Sequence, residues 1–288
     1  MSPSFNYFLT PDILKQIEIF RNHSGTDRRD ISLDLGVNQV NGSISGANVI
    51  KVGKLELNIP SEIIQFLDER TIYIWRTGHW EKWQAFDEKT AKYYKMVFVK
   101  PDKPPTIEIS GIKMHITKEG DPQKDTQLKL KSLKRIEGIL LDTCMGLGYT
   151  AIAAANHPAV EKVYCCEKDP VVFRFCQENP WSQSLFRQSK IHPLLYPIDQ
   201  FVSTLPDFFV HTIIHDPPRF ALAPELYSER FYSDLYRILI QGGEIYHYTG
   251  DPNRQTRRTS LPQKTRQLLI KTGFRQVKFA YAGLMARK

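Results

Sequence analysis

Asp142, Gly146 and Gly148 carry the clearest chemical signal in this chain, within ILLDTCMGLGYT from Ile139 to Thr150. An apolar run ends in an acid, a glycine-containing turn follows, and then comes a small-residue segment able to start a helix. Ile139, Leu140 and Leu141 suit a strand buried on both faces. Gly146 and Gly148 let the backbone turn sharply and approach a ligand with no side chain in the way. Thr150 is placed to cap the Ala-rich helix, whose free N–H groups attract anionic ligand groups. Open α/β sheets bind their ligands at such strand ends. An ordinary tight turn is the plainer alternative, and a glycine loop by itself does not decide between the two.

The order of the acids does. The run Val160 to Cys166 ends in Glu167, nineteen positions beyond Gly148. That separation suits an acid that binds the two hydroxyls of a ribose. Leu194 to Ile198 is a third apolar run and ends in Asp199. A fourth, Val210 to Ile214, leads into His215-Asp216-Pro217-Pro218-Arg219-Phe220, and a fifth, Glu244 to Tyr248, follows Gly242-Gly243. Four successive apolar runs that each lead to an acid are not expected of unrelated turns.

Asp216-Pro217-Pro218 is a second kind of signal. Two prolines fix the backbone and remove two N–H donors, which leaves carbonyl oxygens to accept bonds. A carboxylate beside bare carbonyls makes a cradle for an amine nucleophile. Arg219 offers a guanidinium that pairs with carboxylate or phosphate. A proline-stiffened loop with a solvated arginine is the plain alternative. His215 reads equally as a base or as a packed side chain beside the strand.

These pieces together resemble the class I S-adenosylmethionine-dependent methyltransferases. More narrowly, they are similar to the uncharacterised archaeal-type predicted methyltransferases with a spermidine-synthase-like layout. The resemblance rests on DTCMGLGYTA (Asp142 to Ala151), Glu167-Lys168-Asp169, Asn179-Pro180-Trp181-Ser182, HDPPRF (His215 to Phe220) and LYSERFY (Leu226 to Tyr232). It extends from about Tyr93 to the end of the sequence. It implies S-adenosyl-L-methionine as cofactor, with Asp142, Gly146 and Gly148 around its amino-acid portion. It further implies Glu167 at the ribose and Asp199 at the adenine amino group. Asp216, Pro217, Pro218 and Arg219 would form the catalytic set, since methyltransferases that act on exocyclic or side-chain nitrogens carry a similar Asp/Asn-Pro-Pro-aromatic motif. Two departures stand out. Cys144 occupies a place that is glycine in many such loops, and Arg219 precedes the aromatic Phe220, which weighs against flat stacking of a base.

The elements that must position these residues divide near residue 120. Before it, helical periodicity is confined to Pro11 to Phe20. The rest reads as short strands: Ile31 to Val40, Asn48 to Ile59, Ile72 to Arg76, Tyr94 to Val99, Thr106 to Ile109 and Lys113 to Thr117. Ser110-Gly111 is the turn of a hairpin. After it, a basic helix (Lys124 to Ile136) precedes alternating strands and helices. The pattern predicts a smaller β-rich domain over 1–120 and a Rossmann-like α/β domain over 121–288.

The 288 residues suffice for a sizeable core. No segment approaches the roughly 18 apolar residues of a membrane span, and the N-terminus lacks a signal-peptide pattern. Four cysteines without paired-ligand spacing read as reduced residues of a cytoplasmic protein and argue against zinc. Net charge is +8, with Arg254, Arg257, Arg258, Lys264 and Arg266 in one segment and Lys129, Lys131, Lys134 and Arg135 in another. These form either a phosphate-binding face or solvated surfaces. Trp75, Trp80, Trp83, Tyr93 and Tyr94 either stack on bases or fill the core of the β domain.

The expected function is methylation of a nitrogen on an acceptor that is RNA, a protein or a small molecule, phosphate-bearing or acidic. The β-rich domain is a candidate homodimer surface. One alternative is an aminopropyltransferase using decarboxylated S-adenosylmethionine. Against it stand His215 and Ile213, where a second acid would be needed, and the basic balance of the chain. The other alternative is a nucleic-acid-binding protein with a vestigial cofactor pocket.

Overall fold

The computed structural model describes residues 6–20, 26–45, 48–66, 68–117, 120–250 and 260–288. The chain forms two compact units, Met1–Gln123 and Lys124–Lys288.

The first unit is built from antiparallel sheets. Thr26–Ile31, Val40–Ser45, Val49–Val52 and Leu55–Asn58 make a four-stranded meander. Gln84–Asp87, Lys92–Val97, Thr106–Ile109 and Ile112–Lys113 make another, and Phe8–Leu9, Tyr73–Arg76 and His79–Lys82 a three-stranded sheet. The helix Pro11–Phe20 buries Ile13, Leu14 and Ile17 against Ile44, Ile50 and Leu57. The Ser110-Gly111 turn forms as expected: both residues have positive φ (47° and 82°), and Ile109 pairs with Ile112. Other expectations shift. Ile31 to Val40 is mostly loop between two strands, and the short helix Ser61–Gln65 had no periodic signal. Trp83, Tyr94 and Trp80 are core side chains, with Trp83 and Tyr94 almost wholly buried, so among the aromatic candidates for base stacking only Tyr93 is exposed.

The second unit is an α/β domain. Its strands are β1 (Gly138–Asp142), β2 (Val160–Glu167), β3 (Ile191–Leu195), β4 (Val210–His215), β5 (Leu239–Tyr248), β6 (Arg275–Ala280) and β7 (Gly283–Arg287). They form one seven-stranded sheet in the order β3-β2-β1-β4-β5-β7-β6. β1 to β5 are parallel, and β7 pairs antiparallel with both β5 and β6. The order reverses between β1 and β4, and a crevice at the carboxyl ends of such strands is where open sheets bind ligands. The helices are α1 (Pro122–Lys131), which leads into the unit, α2 (Tyr149–Ala155), α3 (Pro170–Glu178), α4 (Ser184–Arg187), α5 (Ile198–Thr204), α6 (Glu229–Ile238) and α7 (Leu261–Lys271). Apolar side chains of β1, β4 and β5 pack with Phe231, Leu235 and Ile238 of α6 and Leu269 of α7 in one buried cluster. This is a Rossmann-like α/β fold, with a smaller β-rich region before it. Among the described residues no helix is long and apolar enough to cross a membrane.

Several boundaries move relative to the sequence pattern. The basic helix ends at Lys131, and Gly242-Gly243 lies inside β5. β3 ends at Leu195, so Asp199 is not at a strand tip but in the first turn of α5. Thr150 is not a cap, because α2 begins at Tyr149 with Gly148 in the capping position.

Candidate functional site

Asp142 ends β1, the central strand of the reversal. Its side chain is fully buried, and neither carboxylate oxygen has a well-aligned hydrogen-bond partner, although the Thr150 hydroxyl and the Cys144 amide lie near it. Burial, reinforced by the negative charge of Asp216, pushes its pKa up to about 7; nearby Thr150 and the charge of Lys129 oppose the shift. A carboxylate without an aligned partner is costly to bury. Its geometry fits a positively charged or N–H-donating group of a ligand.

The loop after Asp142 is held from several sides. The Thr143 amide donates to the Ile214 carbonyl (2.9 Å), which continues the β1–β4 pairing, and the Met145 amide donates to Cys166 O (2.7 Å). Gly146 and Gly148 both have positive φ, 54° and 79°. The closest neighbour of a Cβ at 148 would be Leu185 Cδ1, in α4, at a separation no real Cβ shows. Glycine is therefore required at 148 by the fold itself. Behind the loop, Asn179-Pro180-Trp181-Ser182 acts as a clamp: Ser182 Oγ donates to Leu147 O (2.7 Å), and Asn179 Nδ2 donates to Tyr149 Oη and Ser182 Oγ (2.9 Å each).

Glu167 ends β2 and reaches under the same loop. Its carboxylate accepts from the Gly146 amide (Oε2, 3.0 Å) and the Asp169 amide (Oε1, 2.9 Å). Burial lifts its pKa to about 7 despite these bonds. Each oxygen keeps a free lone pair for a hydroxyl. Asp169 is spent on the fold, since it caps α3 by accepting from the Val171 amide (2.9 Å). Asp199 is exposed on α5, three residues beyond Tyr196, whose amide still pairs with Glu167 O (2.9 Å).

Asp216 follows β4 directly and is about a fifth exposed. Pro217 is buried, whereas Pro218, Arg219 and Phe220 are exposed. The Pro218 carbonyl is not bare, because Tyr227 Oη donates to it (2.8 Å). Phe220 meets Tyr227 edge-on rather than presenting a stacking shelf (5.5 Å between centroids, 73°).

His215 is fully buried and resolves as a structural side chain. The Leu226 carbonyl can only accept, so the 3.0 Å contact fixes the proton on Nε2. Nδ1 then accepts from the Thr143 hydroxyl (2.7 Å). Burial lowers the pKa to about 4. Both ring nitrogens are engaged, which leaves none to act as a base.

Sequence reasoning missed the residue closest to Asp216. Lys129, read above as part of a basic face, is almost wholly buried. Its Nζ lies 2.6 Å from Asp216 Oδ2 and 2.7 Å from Asp125 Oδ2. Tyr281 Oη donates to Asp125 Oδ1 (3.0 Å), and the Tyr248 ring lies 5.2 Å from Nζ. The i,i+4 spacing of Asp125 and Lys129 was the available signal. Of the other basic residues, Lys131, Lys134, Arg135, Lys264 and Arg266 are exposed. Arg254, Arg257 and Arg258 lie outside the described residues.

The domain thus brings Glu167, Asp142 and Asp216 to the carboxyl ends of three neighbouring strands, β2, β1 and β4. No family model matches the chain. It is 37% identical over 275 residues to an uncharacterized protein of Methanocaldococcus jannaschii, covering 94% of this chain and 91% of that one. Among solved structures it is similar to a spermidine synthase in complex with the transition-state analogue AdoDATO, with TM-score 0.57, 18% identity and coverage of 74% of this chain and 77% of that one. The spermidine synthase of Thermotoga maritima gives TM-score 0.53 at 17% identity, over 73% and 74% of the two chains. MNMC2 of Aquifex aeolicus gives 0.50 at 17%, over 67% and 70%. At these identities the likeness to solved structures is one of fold.

Proposed function

The chain belongs to the family of the Methanocaldococcus jannaschii protein, and from that premise we propose that it is an S-adenosylmethionine-dependent methyltransferase that acts on nitrogen. The carrying observation is Asp142: a fully buried carboxylate with no well-aligned partner, at the reversal point of the sheet. Its two acceptor oxygens suit the positive amino group of the cofactor. Glu167 would accept from the ribose hydroxyls through its remaining lone pairs, and Asp199 from the adenine amino group. When bound, the cofactor supplies a methyl group on a positive sulfur, open to in-line attack.

The chain's own work is to hold the two reactants in line and keep water out. Asp216 would accept the N–H of the acceptor and take its proton as the nitrogen becomes cationic. Pro217 and Pro218 fix the backbone that carries it. Arg219, exposed beside them, would pair with a carboxylate or phosphate on the acceptor, whether RNA, protein or small molecule.

Aminopropyl transfer is the second reading. The specific observation in its favour is local charge: Asp125, Asp142 and Asp216 outnumber Lys129 in the buried cluster. A chain that is basic as a whole thus has an acidic interior here, which attracts cations. The test is incubation with methyl-labelled S-adenosylmethionine and pools of amines, RNA and protein, in parallel with labelled decarboxylated cofactor and polyamines. Label in an acceptor nitrogen from the first arm alone supports methyl transfer. Label from the second arm alone overturns it in favour of the polyamine reading.

A further inference from the structure

Among the described residues, Lys129 is the cation held between two carboxylates, with a third, Asp142, at the end of the neighbouring strand. Asp125 and Asp216 touch it directly, at 2.7 and 2.6 Å. Asp142 pairs in register with Ile214, two residues before Asp216, so it lies beside the strand that delivers Asp216 to Lys129, and the Asp216 charge adds to the burial that raises its pKa. The Lys129 side chain is 3% exposed and Asp125 1%, so solvent screens these charges little. Asp125 is fixed from its other oxygen by Tyr281 (3.0 Å). Among the described residues Lys129 is the cation that touches both Asp125 and Asp216, so its ammonium offsets one negative charge of the cluster.

That charge discriminates between two otherwise similar cofactors. S-adenosylmethionine carries a sulfonium, an ammonium and a carboxylate; its decarboxylated form lacks the carboxylate and is more positive by one charge. An acidic site attracts both, but each added negative charge favours the decarboxylated form more. We propose that Lys129 is a specificity-determining residue, whose buried ammonium holds the site's charge at a value that selects the carboxylated cofactor over the decarboxylated one. This rests on the assignment of Asp142 to the cofactor's amino group. It also separates two chemistries the fold can host: a site with Lys129 removed is more acidic and better suited to a polycationic pair of reactants.

The test is calorimetric binding of both cofactors to the wild type and three full-length variants. In Lys129→Gln, the ratio of affinities should move by about tenfold or more toward the decarboxylated form, given the strength of one charge at low screening. Asp125→Asn removes a negative charge instead, so the ratio should move the opposite way. Lys129→Gln combined with Asp125→Asn restores the wild-type net charge, and its ratio should return close to wild type. A merely structural lysine would weaken both cofactors alike and leave the ratio unmoved. If Lys129→Gln does not fold, the opposite shift in Asp125→Asn and the ratio of the double variant carry the test. An unchanged ratio across folded variants, with the wild type binding, overturns the role of Lys129. A wild type that binds neither cofactor overturns the underlying reading instead.

Discussion

Lys129 Nζ lies 2.6 Å from Asp216 Oδ2, although the residues are 87 positions apart in sequence and neither is exposed by more than about a fifth. The pair anchors the carboxylate proposed to meet the acceptor nitrogen. Asp216→Asn keeps the shape and loses the proton acceptor. Turnover should fall about 10²-fold or more, the usual cost of losing a general base. Cofactor affinity should change far less. Steady-state kinetics beside calorimetry separates the two, and full turnover in the variant would remove Asp216 from the chemistry.

The two raised acids make a signed prediction about pH. Asp142 and Glu167 both titrate near 7 in the fold, against about 4 in an unfolded chain. Between these values each of the two acids holds a proton more in the folded state, so their own contribution to stability falls as pH rises from about 4 to about 7, while buried, neutral His215 and His247 contribute in the opposite sense. A bound cation favours ionised Asp142. The increase in melting temperature on adding S-adenosylmethionine should therefore grow as pH passes through about 7. Thermal unfolding with and without cofactor, from about pH 5.5 to 8.5, measures this. Asp142→Asn should flatten the dependence, and a cofactor effect of constant size in the wild type would contradict the assignment.

Gly148 should tolerate no side chain. Its φ of 79° costs an L-residue about 1–2 kcal/mol, and a Cβ would press on Leu185. Overpacking adds roughly 1–3 kcal/mol. Gly148→Ala is thus expected to lose about 2–5 kcal/mol in denaturant unfolding. Adding Leu185→Ala relieves the contact, but its own cavity and the backbone strain remain. A stable Gly148→Ala with normal cofactor binding would mean that the loop adopts another path.

His215 ties the loop after Asp142 to the segment after Asp216, through Thr143 and the Leu226 carbonyl. Replacement by Phe strands that carbonyl and should cost about 1–3 kcal/mol. With a pKa of about 4 the ring is neutral throughout the working range. The wild-type pH–rate profile should therefore owe no limb to His215, and any limb near 7, where Asp142 and Glu167 titrate, should persist in His215→Gln. A limb there that vanishes in His215→Gln would restore the base role considered from sequence.

Much of the α/β domain was legible because its strands are buried on both faces and read as apolar runs. ILLD, VEKVYCCE and VHTIIH lie on β1, β2 and β4 almost to the residue. β3 was misread because Pro193 interrupts it while Leu194 to Ile198 spans a strand end and a helix start. Thr150 failed as a cap because Gly148, in the left-handed conformation, already turns the chain into α2. Lys129 was hidden for a different reason. Composition treats a lysine among lysines as a solvated charge, and only the approach of β4 to α1 reveals its partner 87 residues away. The three strand-end acids could be named from sequence; the cation among them could not.

The most direct test of the central claim is calorimetric titration of S-adenosylmethionine into the wild type and Asp142→Asn, each shown to be folded. The wild type should bind one equivalent, and the variant should bind about tenfold or more weakly, as loss of a charged acceptor implies. No binding to the wild type, or equal affinity in the two, would contradict it.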